Sequence, residues 1–286
     1  MTQIKRLLAQ FGFFFLQNPL LNNFISGKIY GGKLKIICSP GLNCYSCPAA
    51  VTSCPVGAAQ FFFAGVKHSA GFYITGFLLA AGVVFGRFIC GYACPMGLLQ
   101  DLTYKIKTPK LILRFRFLKY IKYAVLVVFV ILLPMTLAGE LSGLGQPWFC
   151  KYICPSGTLF GAAPLLAANG SLRELIGAQF IFKISAAAGL VIISAFVFRV
   201  FCRVLCPLGA LYSLMNKIAF IRIDHDKSKC GSCGACAGSC GIKINPASRP
   251  NDPECVRCGK CVNACGKNAL VYSCPAIKPR IKNSGR

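Results

Sequence analysis

Nineteen cysteines in 286 residues fall mostly into two kinds of spacing, and both suit thiolate ligation of a soft metal. Near the C-terminus Cys230, Cys233, Cys236 and Cys240 read C-x2-C-x2-C-x3-C, and Cys255, Cys258, Cys261 and Cys265 repeat that spacing. Three closely spaced thiols on a glycine-bearing loop can wrap one face of a cubic iron–sulfur cluster, whereas zinc sites seldom use the triple spacing. The second kind is C-x3-C-P-x-G. It occurs as CGYACPMG with Cys90 and Cys94, CKYICPSG with Cys150 and Cys154, and CRVLCPLG with Cys202 and Cys206. A partial fourth copy, CPVG, starts at Cys54, the last of the group Cys38, Cys44, Cys47 and Cys54, so the chain carries an internal repeat. Proline is favoured at the first position of a helix because its missing N–H would be unpaired there, so each copy predicts a helix capped by cysteine. The free N–H groups and positive dipole end then face the thiolate, which favours a negatively charged cofactor.

The elements that must position these thiols are apolar. A content of 55% hydrophobic and 14% charged residues points to a membrane protein rather than a short disulfide scaffold. A hydrocarbon core of about 30 Å needs roughly 20 apolar residues in a helix. Ser69–Gly86 and Tyr123–Gly139 carry no charge, with Pro134 predicting a kink, and Leu175–Phe198 carries Lys183, which can snorkel or face protein. Leu7–Ile25 is also uncharged, but Gln10, Gln17, Asn18, Pro19, Asn22 and Asn23 interrupt it. Between the first two clear runs, Lys105–Lys122 holds seven basic residues and no acid, which places this loop in the cytoplasm. Alternation then requires Leu7–Ile25 to cross and delivers everything after Phe198 to the cytoplasmic side. From Arg222 onward polar residues and spaced cysteines replace the apolar runs, predicting a membrane domain over 1–221 and a small separate domain over 222–286. The formal charge of +25 lies mostly beside apolar runs, which argues for basic loops at a bilayer and against nucleic acid. No phosphate loop, dinucleotide fingerprint, catalytic triad pattern or C-x-x-C-H haem motif is present, and His68 and His225 are the sole histidines.

The tail resembles bacterial two-cluster ferredoxins. That resemblance implies that Cys230, Cys233, Cys236 and Cys265 hold one [4Fe-4S] cluster, and Cys240, Cys255, Cys258 and Cys261 the other. It departs at Gly241 and Gly266, where those proteins carry proline, and Cys274 is read as a spare thiol. Over nearly the whole chain, GRFICGYACPMGLLQD and FRVFCRVLCPLGALYS followed by the ferredoxin module resemble the membrane polyferredoxins of the NapH, NosR and CcoG type. The added cysteines of FCKYICPSG and LNCYSCP are similar to those of an anaerobe-type branch. The fold expected is an all-α polytopic membrane domain, with about four transmembrane helices and short half-helices, followed by an α+β 2[4Fe-4S] ferredoxin domain. Topology places Cys90, Cys94, Cys202 and Cys206 together on the inner side as one four-thiol site. Cys47, Cys54, Cys150 and Cys154 are the expected outer set, with Cys38 and Cys44 left as spare, redox-active or alternative ligands. The resemblance implies an electron carrier of a bacterial or archaeal cytoplasmic membrane rather than a stand-alone enzyme. Its expected partners are membrane lipid and an acidic ferredoxin, a flavodoxin or a respiratory oxidoreductase complex. Quinone is a further candidate, with Gln100 and Asp101 near the inner cysteines. The alternative is a quinol-oxidising or metal- or thiol-reducing accessory factor.

Overall fold

Long apolar helices form the frame of the protein. The computed structural model describes residues 3–64, 68–111, 117–136 and 146–274; residues 112–116 of the basic loop and 137–139 of the second apolar run lie outside them. Among the described residues two helices, Leu118–Thr136 and Ala178–Phe196, are long and apolar enough to cross a membrane. Each has 19 residues, a length of about 28 Å at 1.5 Å per residue, close to a hydrocarbon thickness of about 30 Å. The turns Leu126–Leu132 of the first are π-helical, just ahead of Pro134, whose missing N–H interrupts the normal ladder. A third helix, His68–Phe85, is apolar over Phe72–Phe85.

The segment Leu7–Ile25 is not one helix. Gln3–Gln17 is helical and stops before Pro19, and a single turn, Asn23–Ser26, follows. The longer helix is inverted relative to a water-soluble one. Arg6, Gln10 and Gln17 are at most 5% exposed, whereas Leu8 and Leu16 are 64% and 72% exposed. Polar groups turned inward and apolar groups outward are what a lipid surround favours.

These helices alternate in direction between two ends of the molecule. At one end the Gln3 amide donates to the Cys258 carbonyl, the Phe85 carbonyl accepts from Arg257, and Lys122 reaches Glu254, so three helices meet the C-terminal module. At the other end Gln17 is bonded to Ser39 and to Val51, and Lys183 donates to the Cys150 carbonyl. The cysteine-rich segment 38–54 and the Cys150–Cys154 copy therefore share the far side.

Short helices Pro55–Phe63, Pro95–Thr103 and Pro207–Met215 each begin at proline, with Cys54, Cys94 and Cys206 extended at the N-cap. The glycine of C-P-x-G answers a packing need. A Cβ on Gly97 would lie 2.7 Å from the Cys90 carbonyl oxygen, and one on Gly209 2.7 Å from that of Cys202.

From Arg222 the chain forms a small α+β module. β1 (Arg222–His225) pairs antiparallel with β2 (Leu270–Ser273), Ile223 opposite Tyr272, and two single-turn helices, Ala235–Gly238 and Lys260–Asn263, lie between them. Left-handed backbone recurs at Ser232 and Arg257, Gly234 and Gly259, and Lys243 and Asn268, so the two cysteine runs adopt the same loop twice. The module is bonded to the helices by polar groups. Glu254 takes Lys122 at 2.5 Å and Arg87 at 3.0 Å, Asn216 donates to the carbonyls of Asp252 and Cys255, and Arg257 donates to those of Phe85 and Asn216.

Lys122 and Arg87 are fully buried, so Glu254→Ala strands two cations and is expected to cost about 3–5 kcal/mol. Thermal unfolding in detergent measures this, with Glu254→Gln expected to lose less. Gly209→Ala forces backbone against backbone and is expected to lower the melting temperature far more than Gly238→Ala, where a Cβ meets open space.

Candidate functional site

In the module, Cys230, Cys233, Cys236 and Cys265 line a single cavity of about 560 Å³, together with the exposed loop Gly231–Ala235. Cys240, Cys255, Cys258 and Cys261 form a second group: both Cys255 and Cys261 lie within electrostatic reach of Cys240 and Cys258. Burial pushes the Cys255 and Cys261 thiols up to about 12, so each stays protonated at neutral pH until a metal displaces the proton. The groups touch through a shared apolar cluster in which Cys236 packs against Cys255 and Cys261 with Ile223 and Leu270.

Cys90, Cys94, Cys202 and Cys206 are all buried in the main core, and Cys206 is within reach of the other three. The two contributing copies are clasped by exchanged arginines. Arg87, three residues before Cys90, donates to the Cys202 carbonyl at 2.9 Å, and Arg199, three before Cys202, donates to the Cys90 carbonyl at 2.5 Å. Both guanidiniums are fully buried, a position tolerated only with partners. Arg87 has Glu254, and Arg199 grips both oxygens of Asp101 at 2.9 and 2.6 Å. Arg6 and Gln10 add further bonds to Asp101. Burial alone would raise the Asp101 carboxyl, but the charge and hydrogen bonds of Arg199 outweigh it, with help from Arg6, and bring it down to about 2. The pairing is therefore complete above the ordinary carboxylate range of about 4 and is lost as pH falls through 2.

On the far side, Cys44, Cys54, Cys150 and Cys154 line a cavity of about 480 Å³ with Leu42, Ser156 and Lys183. Cys47 is not on that lining. It is 2% exposed and packs with Ala49 and Ala50 against Phe24 and Phe160. Cys38 is buried in the main core, its backbone bridged to Ser53. Cys274 follows β2, and no two of the nineteen cysteines are joined in a disulfide.

Gln100 and Asp101 are committed to protein partners. The Gln100 amide donates to Cys202 Sγ at 3.1 Å and accepts from the Phe201 N–H. Gln60 repeats this in the outer set, donating to Cys150 Sγ at 3.2 Å and accepting from the Phe149 N–H. Sequence reading passed over Gln60, Arg87 and Arg199. The signals were present: glutamine stands six residues after Cys54 and after Cys94, and arginine three residues before Cys90 and before Cys202.

Among the described residues no three His, Cys, Asp or Glu side chains are disposed about one point as a single ion requires. In two sets four thiols instead line a volume, and in all four sets the donors are soft sulfurs suited to iron–sulfur clusters. Two sets have cavities of about 480 and 560 Å³ between their sulfurs. The residues present fit that group.

The profile of the Fer4_5 family, described as a 4Fe-4S binding domain, matches residues 68–117, 123–165 and 180–223. Each match holds one complete C-x3-C-P-x-G copy. An uncharacterized protein of Methanocaldococcus jannaschii is 30% identical over 201 residues, covering 67% of this chain and 74% of that protein. The methylamine utilization ferredoxin-type protein MauN of Methylobacillus flagellatus is 28% identical over 202 residues, 65% of this chain and 60% of MauN. The regulatory protein NosR of Stutzerimonas stutzeri is 30% identical over 195 residues, 64% of this chain but 24% of NosR. No solved structure matches the chain. With these matches falling on the cysteine-bearing helices described above, the chain belongs to the 4Fe-4S binding protein family of the NosR and NapH type.

Proposed function

We propose that the protein is a membrane-bound electron relay with four [4Fe-4S] sites. Their ligands are Cys230, Cys233, Cys236 and Cys265; Cys240, Cys255, Cys258 and Cys261; Cys90, Cys94, Cys202 and Cys206; and Cys44, Cys54, Cys150 and Cys154. A [4Fe-4S] cluster in each set supplies one-electron chemistry.

The observation that carries this reading is the succession of the sets. The two module sets share an apolar cluster. Arg199 lies within electrostatic reach of Cys258 in the module and Cys202 in the core, linking the second set to the third. The Leu42 N–H donates to Cys94 Sγ at 3.4 Å while Leu42 also lines the outer cavity, linking the third set to the fourth. Gly41 lets this strap approach, since a Cβ there would lie 2.8 Å from the Cys94 Cα. The chain's own work is to hold the thiols in order and exclude water between them.

The long helices support a topology of four crossings with the module in the cytoplasm. Gln3–Gln17 runs from the module side to the segment 38–54, although it is shorter than the other helices. The basic loop supports a cytoplasmic module by the positive-inside rule. At the module's outer face Cys233 is exposed, and the exposed Lys227 and Lys267 share its cavity lining. That surface suits an acidic one-electron carrier such as a ferredoxin or flavodoxin. Cys38 and Cys47, both buried, are poorly placed to serve an external metal or thiol substrate.

Anaerobically purified protein is expected to contain about sixteen irons and as many sulfides, while about eight would restrict clusters to the module. Cys44→Ser is expected to lose about four irons and Cys47→Ser none; the reverse result would exchange their roles. In nanodiscs, a reduced low-potential ferredoxin should pass electrons to an acceptor confined to the far face. Failure with fully loaded protein would reject the relay.

A further inference from the structure

The two membrane sets are built by one plan. In each, a copy carrying C-P-x-G-x-x-Q meets a copy carrying C-x3-C-P-x-G-x-x-aromatic. Cys54 shares a cavity lining with Cys150 and Cys154 and Gln60 reaches Cys150, while Cys94 shares a buried cluster with Cys202, Cys206 and Tyr212 and Gln100 reaches Cys202.

Both glutamines are buried, at 0% and 1% exposure, and their amides make the same bonds. Gln60 Nε2 donates to Cys150 Sγ at 3.2 Å and to the Val56 carbonyl at 3.2 Å, and its Oε1 accepts from the Phe149 N–H at 2.8 Å. Gln100 Nε2 donates to Cys202 Sγ at 3.1 Å and to the Met96 carbonyl at 3.2 Å, and its Oε1 accepts from the Phe201 N–H at 3.0 Å. The orientation of each amide follows from this network. The peptide N–H of the residue before the cysteine needs an acceptor, so the oxygen must face it and the NH₂ must face the sulfur. The same contact recurs at both sites between the same positions of the two motifs, which sets it apart from incidental packing.

We infer that Gln60 and Gln100 are paired positioning residues that set the reduction potentials of the outer and inner clusters, each through one N–H···S bond to a cysteine of the partner copy. This rests on the reading of the membrane cysteines as cluster ligands. A hydrogen bond to a ligating sulfur stabilises the state with more negative charge, which is the reduced state, and so raises the potential. Burial strengthens the effect because no water can replace the lost donor. The inner site differs in having Arg87 and Arg199 beside it, whereas Pro147 occupies the corresponding place before Cys150. The outer site has Lys183 on its cavity lining, donating to the Cys150 carbonyl at 3.2 Å, so the glutamine bond is common to both sites while the neighbouring cations differ.

The test is an EPR-monitored redox titration of the full-length protein, with iron quantified in each sample. Gln100→Glu keeps an oxygen for the Phe201 N–H and removes the donor to sulfur; Gln60→Glu does the same in the outer set. Each is expected to lower the reduced-to-oxidised ratio of its own cluster about tenfold at fixed poise, equivalent to 59 mV for a one-electron couple, with the other cluster unmoved. Gln→Leu at either position should shift the same cluster in the same direction, which separates loss of the donor from added charge. Unchanged potentials in variants retaining wild-type iron, or equal shifts of both clusters from one substitution, would overturn the inference. If the wild type holds iron in the module alone, it is the underlying reading of the membrane sets that fails, and the iron count records that separately.

Discussion

A cysteine held at the mouth of a helix by the proline that follows it is the constraint on which this structure turns. Cys54, Cys94 and Cys206 all cap helices in extended backbone. At Cys206 the Gly209 N–H of the first turn donates to the thiol Sγ at 3.3 Å. Helix ends at membrane depth are tolerated only when protein covers them. The short helices therefore require the long ones as a jacket, and the long ones require a core that satisfies their inward polar groups.

Charge balance follows from that burial. Four buried cations, Arg6, Arg87, Lys122 and Arg199, share two acids, Asp101 and Glu254. Such an excess is unfavourable in an apolar interior unless further negative charge lies nearby. Arg87 and Arg199 have Cys90 or Cys202 within electrostatic reach, so metal-bound thiolates of the inner set would supply it. The same two acids also hold the architecture together. Glu254 fastens the module to Leu118–Thr136, and Asp101 fastens Gln3–Gln17 and the Arg199 corner to Pro95–Thr103.

The relation between module and membrane part is correspondingly intimate. Asn216, just past the Pro207–Met215 helix, bonds to the backbone on both sides of Glu254, and Arg257 returns bonds to Phe85 and Asn216. The second cysteine loop of the module is thereby seated on the inner set, while the first loop stays at the surface with Cys233 exposed. One loop repeated twice thus has two environments, one facing solvent and one facing protein.

Local spacing by itself determined the helix starts at Cys54, Cys94 and Cys206 and the doubled loop of the tail, because proline geometry and short cysteine repeats act over a few residues. The apolar runs Tyr123–Gly139 and Leu175–Phe198 likewise fall on the helices Leu118–Thr136 and Ala178–Phe196, although the first helix begins five residues earlier, inside the basic segment. Composition did not foretell that Leu7–Ile25 would break before Pro19 and turn Arg6, Gln10 and Gln17 inward, since an inverted helix hides its purpose until its neighbours are known. The placement of Cys44 rather than Cys47 on the outer cavity was likewise invisible, because the loop 38–54 follows no period and its path is set by Gln17, Ser39 and the Leu42 strap. The exchanged arginines and paired glutamines are contacts between copies about 90 to 115 residues apart. Only tertiary folding brings such copies face to face, and so only it could decide which side chain serves which sulfur.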